Sequence, residues 1–91
     1  MQKHSWTVEL SRGALKALDR MERSVQLRIR DRIRQLEALE DPLRHKDVRG
    51  LEGKFQGYYR LRAGEYRLIF ELDPMNRKIS VNAISPRGSA Y

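Results

Sequence analysis

From Tyr58 to Leu72 the chain alternates with a period of two, interrupted once at a glycine. Tyr59 and Leu61 fall on one side, and Tyr58, Arg60 and Arg62 on the other. After Gly64, Tyr66, Leu68, Phe70 and Leu72 form an apolar set, while Arg67, Ile69 and Glu71 form its complement. Period two is the signature of strands with one buried face. The pattern predicts strands over 58–62 and 65–72 joined by a tight turn at Ala63-Gly64. A third strand, 78–85, follows a turn at Asp73-Pro74-Met75-Asn76. A sheet with one apolar face needs a covering layer, and the first half of the chain supplies it. Trp6, Val8 and Leu10 alternate as a first strand. Ser11 is a candidate N-cap for a helix carrying Ala14, Leu15, Leu18 and Met21. Val25, Ile29, Ile33 and Leu36 stripe a second helix that ends before Pro42. Residues 42–57 are polar, with three glycines, and read as a loop with short structure around Val48 to Leu51. The expected fold is α+β in the order β-α-α-β-β-β. A helical hairpin packs on one face of a small, mainly antiparallel sheet, and the other face is open. Residues 1–91 are read as one domain.

Composition narrows the function classes. There is no cysteine, so a disulfide framework, a thiolate metal site and a cysteine nucleophile are excluded. Apolar runs are two or three residues long, far short of a membrane span, and the N-terminus lacks a signal-type apolar stretch. A soluble, cytoplasmic protein is expected. The net charge is +7, and arginine outnumbers lysine 14 to 5. Residues 42–91 hold ten basic and five acidic groups, against nine and seven in residues 1–41. Arginine's planar fork suits bidentate phosphate contacts, so the balance favours a nucleic-acid or acidic-protein partner over a surface basic only for solubility.

The open sheet face carries the candidate site. A symmetric turn at Ala63-Gly64 pairs Leu61 with Tyr66 and Arg60 with Arg67. Two guanidinium groups then lie opposite each other, which is destabilising unless they hold an anion, are relieved by a neighbour such as Glu71, or splay into water. After the last strand, Pro86 and Gly88 bracket Arg87, and Tyr91 offers a ring for base stacking. His4 and His45 fit neither a catalytic triad nor a ligand set. Trp6 reads as core, and Phe55 as core or a loop anchor.

The run Val48-Arg49-Gly50-Leu51 through Tyr59-Arg60-Leu61-Arg62-Ala63-Gly64-Glu65-Tyr66-Arg67-Leu68-Ile69-Phe70, with the ending Pro86-Arg87-Gly88-Ser89-Ala90-Tyr91, resembles the RelE/ParE superfamily of type II toxin–antitoxin toxins, the archaeal-like RelE type in particular. The resemblance covers nearly the whole chain. It implies a ribosome-dependent endoribonuclease that cleaves messenger RNA without a cofactor or metal. It also implies neutralisation by a cognate antitoxin, with operator DNA bound through the toxin–antitoxin complex. The family's catalytic positions correspond to Arg60, Arg67, Arg87 and Tyr91. Tyr58 stands where some members have lysine, and Pro86 where many have histidine. Lys46, Lys54, Tyr58 and Arg62 are expected RNA-backbone contacts, although loop lysines are ordinarily just solvated. Two other readings stay open: a ParE-like gyrase inhibitor that cleaves nothing, and a basic nucleic-acid-binding or co-repressor module. Shared fold cannot separate them.

Overall fold

A computed structural model describes residues 5–86. β1 (Thr7–Leu10) leads into α1 (Arg12–Asp19) and α2 (Arg23–Ala38). A 3-10 turn (Pro42–Arg44), β2 (Val48–Gly50) and a second 3-10 turn (Gly53–Phe55) follow. β3 (Tyr59–Ala63), β4 (Tyr66–Asp73) and β5 (Lys78–Pro86) complete the described chain. The five strands form one sheet in the order β1-β5-β4-β3-β2. All pairings are antiparallel except β1 with β5, which is parallel. The expected α+β order and mainly antiparallel sheet are what the chain adopts, with β2 as an added edge strand.

Local chemistry explains the elements. Ser11 caps α1: its Oγ accepts from the Ala14 N–H at 3.0 Å, satisfying one of the free amides of the first turn. The same hydroxyl donates to the Asn82 carbonyl at 3.0 Å, tying the helix start to β5. Gln26 Nε2 donates to the Leu18 carbonyl at 2.9 Å and bridges α1 to α2. In the β4–β5 turn, Asn76 donates to both Asp73 oxygens, through its N–H to Oδ1 and its Nδ2 to Oδ2. Those bonds, the side-chain one foremost, hold the Asp73 carboxyl below the usual carboxylate range. Arg77 takes the left-handed conformation there, at φ 54°.

The core lies between the helices and one sheet face. Ala14, Leu18, Ile29 and Leu36 of the helices meet Leu61, Leu68, Phe70, Ile79 and Val81 of the strands. Tyr59 and Phe70 stack tilted, with centroids 5.7 Å apart. Trp6 is buried as expected; its Nε1 donates to the Glu40 carbonyl, and Arg77 covers its ring at 5.4 Å.

One register differs from expectation. Ala63 pairs with Tyr66, Leu61 with Leu68 and Arg60 with Ile69. The turn therefore occupies Gly64-Glu65, not Ala63-Gly64. Gly64 has φ +63°, and Glu65 is not among the residues with positive φ. That is the arrangement of a type II′ hairpin turn, which puts its left-handed residue first. A turn at Ala63-Gly64 would give the first central position to alanine, whose Cβ penalises positive φ. The chain shifts by a residue to give that position to glycine.

Candidate functional site

The register shift keeps every arginine on its expected face and changes its partner. Leu61 and Leu68 point into the core, so Arg60, Arg62 and Arg67 project from the opposite face. Arg67 lies opposite Arg62, and Arg60 is its diagonal neighbour rather than its direct partner. β2 adds a residue that sequence reasoning did not place in the site: Arg49 lies opposite Arg60. Three strands thus carry two arginine pairs side by side. The available signal for Arg49 was the short structure expected around Val48 to Leu51. Its antiparallel pairing with β3, a long-range contact that no local pattern encodes, is what brings Arg49 to the site.

A shallow hollow of about 150 Å³ opens at this corner of the sheet, lined by Lys46, Asp47, Arg49, Arg60 and Arg62. Arg49 Nη1 donates to the carbonyls of Val48 (2.9 Å) and Lys46 (3.2 Å), holding its guanidinium near the backbone. The Arg62 N–H donates to the Asp47 carbonyl at 3.0 Å, which fixes the loop against β3. Asp47 is the single acid lining the hollow among the described residues, and its carboxylate also sits 3.9 Å from Arg32 of α2.

His45 underpins this loop. It is 9% exposed. Its Nδ1 accepts from the Asp47 N–H at 3.0 Å, so the proton resides on Nε2, which donates to Gln35 Oε1 at 2.7 Å. Desolvation in this setting lowers the imidazole pKa from its usual 6.5, against the opposing pull of Asp47. His45 is a neutral strut beneath Lys46 and Asp47.

The expected RNA-contact residues divide into two groups. Lys46 and Arg62 join Arg60 around the first hollow. Lys54 and Tyr58 line a separate hollow further along the same face, where Phe55 anchors the second 3-10 turn. β5 brings Ser85 opposite Arg67, with its Oγ shielded from solvent and without a hydrogen-bond partner among the described residues. Arg87 and Tyr91, assigned to the site from sequence, lie outside the described residues, as does His4.

A two-helix layer thus covers one face of a five-stranded mixed sheet, and arginines from three strands cluster on the other. The sequence matches the family described as the ParE toxin of the type II toxin-antitoxin system, parDE, over residues 8–91, and the chain belongs to that family of toxins. Among solved structures it is similar to the archaeal RelE–RelB complex from Pyrococcus horikoshii OT3, at 28% identity and TM-score 0.77, covering 94% of this chain and 99% of that one. It is also similar to the RelBE2 toxin–antitoxin complex from Mycobacterium tuberculosis (20% identity, TM-score 0.79, 92% and 93% covered). A third similar structure is the isolated E. coli RelE toxin (20%, TM-score 0.68, 93% and 87% covered). The latter two show the fold alone. No curated protein matches the chain. The chain is thus a toxin of a toxin–antitoxin system in the RelE/ParE superfamily.

Proposed function

We propose that this toxin is a ribosome-dependent endoribonuclease that cleaves messenger RNA by attack of a ribose 2′-OH on the adjacent phosphate. The carrying observation is the arginine cluster: Arg49, Arg60, Arg62 and Arg67 share one sheet face, in two directly opposed pairs. Such pairs cost stability when they hold nothing and lose that cost when an anion lies between them. In the step, the 2′-oxygen bonds to phosphorus, the bond to the 5′-oxygen breaks, and a proton moves from the 2′-OH to the leaving oxygen. The products are a 2′,3′-cyclic phosphate and a 5′-OH end. What the step asks of a protein is in-line geometry and stabilised charge on the phosphorane oxygens.

Arg60 and Arg67 are assigned to those oxygens, Arg87 to the leaving oxygen, and Tyr91 to stacking or to the 2′-OH. Arg62 and Lys46 then hold the backbone beside them. Arginine and an ordinary tyrosine exchange protons poorly near neutral pH. Catalysis therefore leans on electrostatics and on the ribosome's positioning of the message, and free RNA is cut feebly. The cytoplasm is the compartment where this substrate is met. A cognate antitoxin, of the kind present in the similar RelB–RelE complexes, is the expected neutralising partner.

The ParE family match favours a second reading, inhibition of gyrase without cleavage. A translation extract decides between them. Messages cut on ribosomes, with cutting lost by roughly 100-fold or more in Arg67→Ala and Arg87→Ala, support the ribonuclease. Intact messages with arrested supercoiling overturn it.

A further inference from the structure

Beyond Arg60 the uncovered face sinks into a second hollow of about 480 Å³, lined by Lys54, Phe55, Tyr58, Ile69, Glu71 and Asn82. Ile69 is only 8% exposed, although it lies on the face away from the helices. It is the direct cross-strand partner of Arg60. The hollow therefore begins about 5 Å from the arginine cluster, one strand spacing away. A nucleotide separates its phosphate from its base by a span of that order.

The far wall is built with care. Between Ile69 and Phe70 the pairing with β5 slips by one residue, leaving Asn82 as the extra residue of a β-bulge. Bulges re-aim side chains, and this one is pinned by the Ser11 hydroxyl on the Asn82 carbonyl. Asn82 Nδ2 donates to Glu71 Oε2 at 3.0 Å. That bond orients the carboxylate and leaves Glu71 Oε1 as an acceptor with no hydrogen-bond partner among the described residues. Phe55 and Tyr58 supply aromatic faces, and Lys54 sits 5.5 Å from the Phe55 ring centroid, offsetting the acid.

Resting on the ribonuclease reading, we infer that this hollow seats one unpaired base of the message, against the Phe55 and Tyr58 rings, and that Glu71, oriented by Asn82, accepts a hydrogen bond from its exocyclic amino group. Adenine, cytosine and guanine carry that donor. At its exocyclic positions uracil presents carbonyl oxygens instead, with its one edge donor, N3–H, set between them. A carboxylate placed to accept from an exocyclic amino group then meets a carbonyl, and both are left without a proton. Glu71 is thus a specificity-determining residue that selects against uracil at one position of the cut sequence.

The test maps cut sites on ribosomes programmed with messages that vary every codon position, for the intact toxin and for Glu71→Gln, Asn82→Ala and Phe55→Ala. The intact toxin should cut roughly 10-fold less where uracil occupies one fixed position. Glu71→Gln, which replaces one acceptor with a donor, should bring that discrimination below about 3-fold, and Asn82→Ala should loosen it in the same direction. Phe55→Ala should lower cutting roughly 10-fold at all sites without reordering the bases. Thermal unfolding confirms that each variant is folded, and antitoxin affinity is measured separately. No cutting by the intact toxin sinks the ribonuclease reading itself. Cutting that disappears in Arg67→Ala but keeps an unchanged base profile in Glu71→Gln and Asn82→Ala overturns only the base site. A change in antitoxin affinity with no change in base profile makes the hollow a protein-docking site and overturns the inference as well.

Discussion

Arg62 and Arg67 face each other across a strand pair, and like charges in that position work against the fold. Arg62 is exposed and lies within β3. Arg62→Thr, which keeps β propensity, should leave stability unchanged or raise it by about 0.5 kcal/mol at low ionic strength. The gain should fade as salt is raised toward ~1 M, where screening acts within about 3 Å. Urea unfolding at two salt concentrations measures this, and a loss above about 1 kcal/mol would show that Arg62 is structural. His45 gives a second prediction at this scale. Its folded pKa lies below the usual 6.5, so the unfolded chain binds the proton first as pH falls. The stability it contributes is complete above 6.5 and is lost progressively below, until the folded pKa is passed. Urea midpoints at pH 7.5 and 5.5 should differ more for the intact protein than for His45→Gln, which cannot titrate. The sequence shows a histidine in a polar loop. That it accepts from the backbone two residues on and reaches Gln35 of α2 depends on where the loop closes, which local pattern does not encode.

The elements were largely legible because alternation and helical spacing are local properties. The faces of β3 and β4 follow directly from period two. Their register does not: Ala63-Gly64 and Gly64-Glu65 are both two-residue turns that keep the same faces, and only the demand for positive φ at the first position separates them. That demand, met by Gly64, is what pairs Arg62 with Arg67. The bulge at Asn82 carries no glycine to announce it. Gly64→Ala should cost roughly 1 kcal/mol from the left-handed conformation alone. A Cβ there would also come within 2.7 Å of Arg28 Nη1, so Arg28 must swing away. A denaturation midpoint unchanged by Gly64→Ala would argue against the II′ turn. Ser11→Ala should cost about 1 kcal/mol through the lost cap. Because the same hydroxyl pins the Asn82 carbonyl, amide exchange should also rise around the bulge, away from the substituted helix.

Over the whole molecule, a charge of +7 with the cationic cluster on one face predicts, on the proposed ribonuclease reading, that RNA binding is strongly salt-dependent. A single-stranded ligand that engages one phosphate per neutralising arginine gives a slope of about −0.7 per contact in log affinity against log salt. Arg49→Ala should reduce the magnitude of that slope by about 0.7, measured by fluorescence anisotropy with a short oligonucleotide that cannot be cleaved. An unchanged slope would remove Arg49 from the phosphate path. The parallel β1–β5 pairing has a different kind of consequence. Thr7 sits beside Lys78, so the first strand finds its place only after nearly the entire described chain has been synthesised. At roughly 5–20 residues per second, several seconds pass on the translating ribosome during which β1 has no strand to pair with and α1 no β5 to rest on. A nascent chain interrupted before residue 78 therefore never closes the sheet, because the strand that joins β1 and α1 to the arginine-bearing strands has not been made.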